Sequence, residues 1–201
     1  KAFHKINIVA KNTTSNKKRE IPKNVTVIRN SFCLNFTEKL LSLFAIFSPI
    51  FRKEIQFIIS NKVPLSLTNV SYMLHSLARA RKVKDFLERQ VSVDDKTDEI
   101  YLYSYWWLDE SIGIAYFKNA YPNVIAISRC HGYDVYSERA FGNYLPLKGF
   151  TIGSLDKVFT ISNHARNYVC EKYKNVNDEK ISINRLGVKG GKLQLLHAHN
   201  I

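Results

Sequence analysis

The run Val124-Ile125-Ala126-Ile127 constrains this chain most, because four successive residues are apolar where a half-exposed strand would alternate. Such a strand has no face to offer water and belongs inside a parallel sheet covered on both sides. The segments around it keep one rhythm. Ile100–Trp106 reads as a strand, Glu110–Asn119 as a helix, Val124–Ser128 as a strand, Lys157–Ile161 as a strand, Asn163–Tyr173 as a helix and Ile181–Asn184 as a strand. An irregular, partly helical stretch fills the interval up to Ser154. Strand–helix alternation with short connections makes right-handed βαβ units. The expected class is α/β: a Rossmann-like, mainly parallel sheet flanked by helices.

The first half is less regular. Lys5–Ala10 and Val25–Arg29 are short β-rich runs separated by a polar loop. Asn35–Ser60 reads as helical, with Pro49 marking a kink or a break. Beyond Pro64, Ser66–Gln90 carries Val70, Met73, Leu74, Leu77, Ala80, Val83, Phe86 and Leu87 at helical spacing. Its other face carries Arg79, Arg81, Lys82 and Lys84.

Charge divides along the same line. The formal net charge is +13, yet residues 1–90 hold 17 Lys and Arg against 5 Asp and Glu, and residues 91–201 hold 13 against 12. A concentrated excess points to an anionic partner surface. With apolar stretches such as Phe44–Phe51 beside it, an anionic membrane surface is one expectation. The other is that those apolar residues are core and the Lys and Arg a solvated face. Leu40–Phe51, broken by two serines and Pro49, is too short to span a bilayer. Cys33, Cys130 and Cys170 form no C-x-x-C pair and read as reduced residues of a cytoplasmic chain. Without Met at its start, and with no secretory stretch, the chain is expected to be incomplete.

Ligands of parallel sheets sit beyond the carboxyl ends of the strands, which selects four segments. In Ser128-Arg129-Cys130-His131-Gly132-Tyr133-Asp134, an imidazole, a guanidinium and a carboxylate meet, with Gly132 permitting close backbone approach. His131 can bond a sugar hydroxyl and Arg129 can hold a phosphate bidentately. Equally, Asp134 could cap a helix and His131 satisfy buried backbone. In Tyr105-Trp106-Trp107-Leu108-Asp109-Glu110, the stronger reading is a core Trp with an acidic first helical turn. The other reading is an aromatic platform for a sugar face. Ser162-Asn163-His164-Ala165-Arg166 opens a helix with Ser162 as a good N-cap, and its His164 and Arg166 face either the cleft or water. Arg185–Val188 follows the last strand. No Walker loop or G-x-G-x-x-G occurs, and His197 and His199 near the end are a weak metal signal.

From about Glu99 to Val188 these segments, with Tyr144-Leu145-Pro146-Leu147 and Leu155–His164 in the same order, resemble the N-terminal domain of family-4 retaining glycosyltransferases of the GT-B fold. Residues 1–98 fit as the variable helical region of that domain. The resemblance implies sugar transfer from a nucleotide-sugar donor to a saccharide or lipid-linked acceptor, as in cell-surface polysaccharide synthesis. It implies no metal and no cofactor besides the donor as co-substrate. His131 matches the family histidine that contacts the donor sugar. Arg129, Asp134, Ser162 and His164 match cleft-lining positions, Arg185 and Gly187 match the turn into the second domain, and Gly132 and Arg185 are expected to join the others in binding substrate. Asn163 and Cys130 depart from the acidic and small residues usual there.

On this reading residues 1–188 are an incomplete N-terminal Rossmann-like domain, and 189–201 are a tail or the start of a linker to a donor-binding domain. The glycine-rich loop after the family's first strand has no counterpart, so residues 1–201 alone are expected not to transfer sugar. The competing expectation is a non-catalytic, degenerate binding module of the same fold. Nucleic acid is not an expected partner, since no RRM, KH or helix-turn-helix pattern accompanies the charge. The expected location is cytoplasmic, peripheral at the inner membrane face.

Overall fold

A computed structural model describes residues 3–10, 20–63, 65–92, 99–173 and 177–186. Pro64, Gly187, Val188 and the segment 189–201 with His197 and His199 lie outside the described residues. The elements are β1 (Ile6–Ala10), β2 (Val25–Arg29), α1 (Phe36–Leu41), α2 (Pro49–Ser60), α3 (Leu67–Gln90), β3 (Tyr101–Ser104), α4 (Asp109–Ala120), β4 (Ile125–Arg129), α5 (Lys148–Ser154), β5 (Lys157–Thr160), α6 (Asn163–Lys172) and β6 (Ile181–Ile183). A 3-10 stretch, Ser42–Phe47, joins α1 to α2.

All strand pairs are parallel. β3, β4, β5 and β6 form a four-stranded sheet in chain order, with Ser104 opposite Ser128 and Thr160 opposite Ile183. The α/β architecture, parallel strands flanked by helices, is the one the apolar rhythm implies. β4 lies inside the sheet, and Ala126 and Ser128 are fully buried along it. β1 and β2 differ from a continuous sheet: they pair with each other in a separate two-stranded sheet. Side-chain patterning marks these runs as strands but does not choose a non-local partner. Phe3, just before β1, meets Tyr101 of β3 edge-on at 5.4 Å between ring centroids.

Pro49 begins a helix rather than kinking one. It occupies the first turn of α2, where a missing N–H costs nothing, and the Ser48 hydroxyl accepts from Phe51 N at 3.1 Å. α3 starts behind Ser66, which caps Asn69 N at 3.1 Å, and buries Met73, Leu74, Leu77, Ala80, Val83 and Phe86 as its spacing predicts. α3 and α4 approach so closely that a Cβ on Gly113 would lie 2.4 Å from Val83 Cβ and 2.9 Å from the Ala80 carbonyl oxygen. The basic face of α3 is partly compensated: Arg79 pairs with Asp109, Lys82 with Glu38 and Lys84 with Glu88. Among the described residues no helix is long and apolar enough to cross a membrane.

Candidate functional site at the carboxyl end of β4

β4 delivers its chain into a tight turn. Cys130 N donates to Phe159 O of β5 at 2.9 Å, which carries the parallel ladder one residue past the strand. The thiol is fully buried, and desolvation raises it to about 12, so it is an inert packing group. Asp134, also fully buried, organises the turn. One carboxylate oxygen accepts from His131 N at 2.8 Å and Gly132 N at 2.9 Å, and the other accepts from Trp107 N at 3.0 Å. Its position suggests a helix cap or a ligand contact. In the fold it ties the turn after β4 to the loop after β3.

That tie separates the two tryptophans. Trp107 is core, 1% exposed, and its indole donates to Thr151 Oγ1 at 2.8 Å. The Lys148 ammonium lies 4.1 Å from the Trp107 ring centroid and donates to the Trp107 carbonyl. Burial lowers Lys148 to about 8. Trp106 turns outward at 37% exposure. It lies 4.2 Å from the His131 ring and 5.0 Å from Tyr133, and Tyr105 lies 4.5 Å from His131, all as centroid distances. The core reading of the Trp pair holds for Trp107, while Trp106 stands half-exposed among His131, Tyr105 and Tyr133.

His131 lies two residues beyond β4 under this aromatic cover rather than on an open wall. Both ring nitrogens are shielded from solvent and neither has a hydrogen-bond partner. Desolvation lowers its pKa, Arg129 adds to the effect and Asp134 opposes it, so the imidazole is neutral at pH 7. Arg129 Nε is likewise buried without a partner. An unmet buried donor or acceptor costs about 1–3 kcal/mol, so three such atoms on Arg129 and His131, separated by one residue, call for a physical reason. Gly132 is not required by backbone conformation, and it leaves open space before the loop. Its φ lies outside the left-handed region, and an added Cβ would meet only Arg139 Nη1, at 3.8 Å.

The neighbouring strand end contributes less. Ser162 Oγ accepts from Ala165 N at 3.1 Å as the cap of α6. His164 is exposed, with its ring 5.6 Å from Tyr136, which brings it beside the β4 loop. Arg166 Nε donates to Ile181 O at 3.1 Å and ties α6 to β6. Arg185 is exposed beyond the edge strand β6, two strand spacings from β4. Lys148 and Thr151 behind Trp107 fall in the irregular stretch, and no periodicity marks them in advance. Among the described residues no group of three or more His, Cys, Asp and Glu could hold a metal ion. No family model matches this chain, and no curated protein matches it.

Proposed function

We propose that the carboxyl end of β4 is the sugar-contacting edge of a retaining glycosyltransferase domain of the GT-B type. It would serve transfer from a nucleotide sugar to a saccharide or lipid-linked acceptor at the cytoplasmic face of a membrane. One observation carries the reading: His131 Nδ1, His131 Nε2 and Arg129 Nε are all buried and unpartnered at an interior strand end, beside the partly exposed rings of Tyr105, Trp106 and Tyr133. A neutral imidazole accepts from one hydroxyl and donates to another, which suits vicinal sugar hydroxyls. A guanidinium beside it suits a phosphate oxygen. Trp106 and Tyr133 offer apolar faces for a pyranose ring. Asp134, bonded to the backbone of His131, Gly132 and Trp107, holds the two loops that carry these groups. Ser162 and His164 flank the site from β5, and Arg185 marks its outer rim.

Transfer also needs the leaving diphosphate held while its negative charge develops, with donor and acceptor fixed together. By resemblance most of those donor contacts come from a second domain, so residues 1–201 should bind without turnover. A non-catalytic saccharide-binding module would use the same surface, and the half-exposed Trp106–Tyr133 pair favours it as the second reading.

Titration of residues 1–201 with nucleotide sugars and oligosaccharides, followed by Trp106 emission with Trp106→Phe as the blank, tests the proposal. Saturable binding weakened about tenfold by His131→Ala is the expected result. Saturation by oligosaccharides alone would select the binding module. No saturable binding, or binding indifferent to His131→Ala and Arg129→Gln, would overturn both readings.

A further inference from the structure

We propose that α1 and the 3-10 stretch after it form a wedge that inserts shallowly into an anionic membrane surface. The proposal extends the peripheral placement above and rests on it for the choice of lipid, but it does not need sugar binding at His131.

The arch Phe36–Phe47 is folded inside out. Ser42 and Ala45 point into the protein, while Phe36 (83% exposed), Leu40, Phe44 and Phe47 (71% exposed) project outward at spacings of three or four residues. The arch is also bounded by capping interactions at both ends. Asn35 Oδ1 accepts from Glu38 N at 2.8 Å, Asn35 N donates to Glu38 Oε2 at 2.8 Å, and Ser48 caps the next helix. An ordered, outward apolar ridge of this kind marks a contact surface.

Charge identifies the partner. Between Phe36 and Lys53 the charged residues are Glu38, Lys39, Arg52 and Lys53. Glu38 is ion-paired with Lys82 at 2.8 Å, whereas Lys39, Arg52 and Lys53 are exposed. Glu54, next along, is buried and accepts from Tyr144 Oη and Leu147 N. The ridge is therefore flanked by cations with no exposed carboxylate in the same stretch. A second copy would bring two strongly basic regions together, while anionic headgroups meet the cations and the acyl boundary meets the aromatic side chains. The two six-residue elements of the arch are far too short to span a bilayer, so its insertion would be shallow.

The test is flotation of residues 1–201 with vesicles of phosphatidylglycerol and phosphatidylcholine, against phosphatidylcholine alone. Binding only to the anionic vesicles, weakening as salt rises, is expected. Phe44→Ser with Phe47→Ser should lower it about tenfold or more, Lys39→Glu with Arg52→Glu should lower it too, and His131→Ala should leave it unchanged. Phe44→Trp emission should shift to the blue on anionic vesicles. No flotation at low salt, or flotation indifferent to the Phe44/Phe47 variant, would overturn the proposal. So would a concentration-dependent dimer without lipid that the same variant abolishes, since the occupant would then be a second copy.

Discussion

Phe117 and Phe47 stand in twelve-residue segments that treat apolar side chains in opposite ways. In α4, Phe117 is fully buried with Ile112, Ile114 and Ala115, and the helix exposes no large apolar residue. The arch Phe36–Phe47 exposes seven: Phe36, Leu40, Leu41, Leu43, Phe44, Ile46 and Phe47. Both segments are capped or charged at their starts in ways that favour helix, with the Asn35–Glu38 capping box in one and Asp109 and Glu110 in the other. Local helix signals therefore do not separate them; neighbours do. α4 is gripped by α3, α5, β3 and β4, whereas the arch rests chiefly on α3 and α2 and leaves its other side to solvent. Apolar content alone would assign both to core, and only one is.

The comparison breaks most readily on paired substitutions. Phe117→Ala should cost about 4 kcal/mol in urea unfolding, through lost burial and a residual cavity. Phe47→Ala should stay within about 0.5 kcal/mol. Equal costs would mean that the arch is held against the core after all. A second pair sharpens it at the glycines. Gly113→Val drives a side chain into Val83 and the Ala80 carbonyl and should cost about 3 kcal/mol by the same measurement. Gly132→Ala, with open space before it, should change stability by less than about 0.5 kcal/mol while hindering any ligand that approaches the loop.

The parallel sheet was legible because burial on both faces writes an apolar run at Val124–Ser128, and helix spacing writes the inner face of Ser66–Gln90. The element ends move by a residue or two, as hydrogen bonding rather than side-chain type sets them. The separate β1–β2 sheet was not legible, since pairing is a long-range choice. Nor was the division of labour between Trp106 and Trp107. Their side chains are identical, and what turns one inward is the bond from Trp107 N to Asp134, made 27 residues along the chain. His131 stood out by its place after a buried strand, but its aromatic cover depends on that same bond. The charge of the first half was plain, although its partial cancellation along α3 emerges only where Glu38 and Asp109 come within reach.

His131 also gives the smallest predicted effect and the most direct test. Its folded-state pKa lies below the usual 6.5, so folding favours the neutral ring. That contribution to stability is whole above the unfolded value and is lost as pH falls from about 6.5 through the depressed folded value. Nitrogen-15 NMR of the histidine ring reads both the titration and the hydrogen bonding at once. In the free protein His131 should titrate below its value in the urea-unfolded chain, with ring nitrogens whose shifts show no strong hydrogen bond. Added uridine- or guanosine-diphosphate sugars should move at least one of those nitrogens to a hydrogen-bonded shift. An ordinary titration, with ring shifts that no nucleotide sugar or saccharide alters, would contradict the assignment of this strand end as a sugar-contacting site.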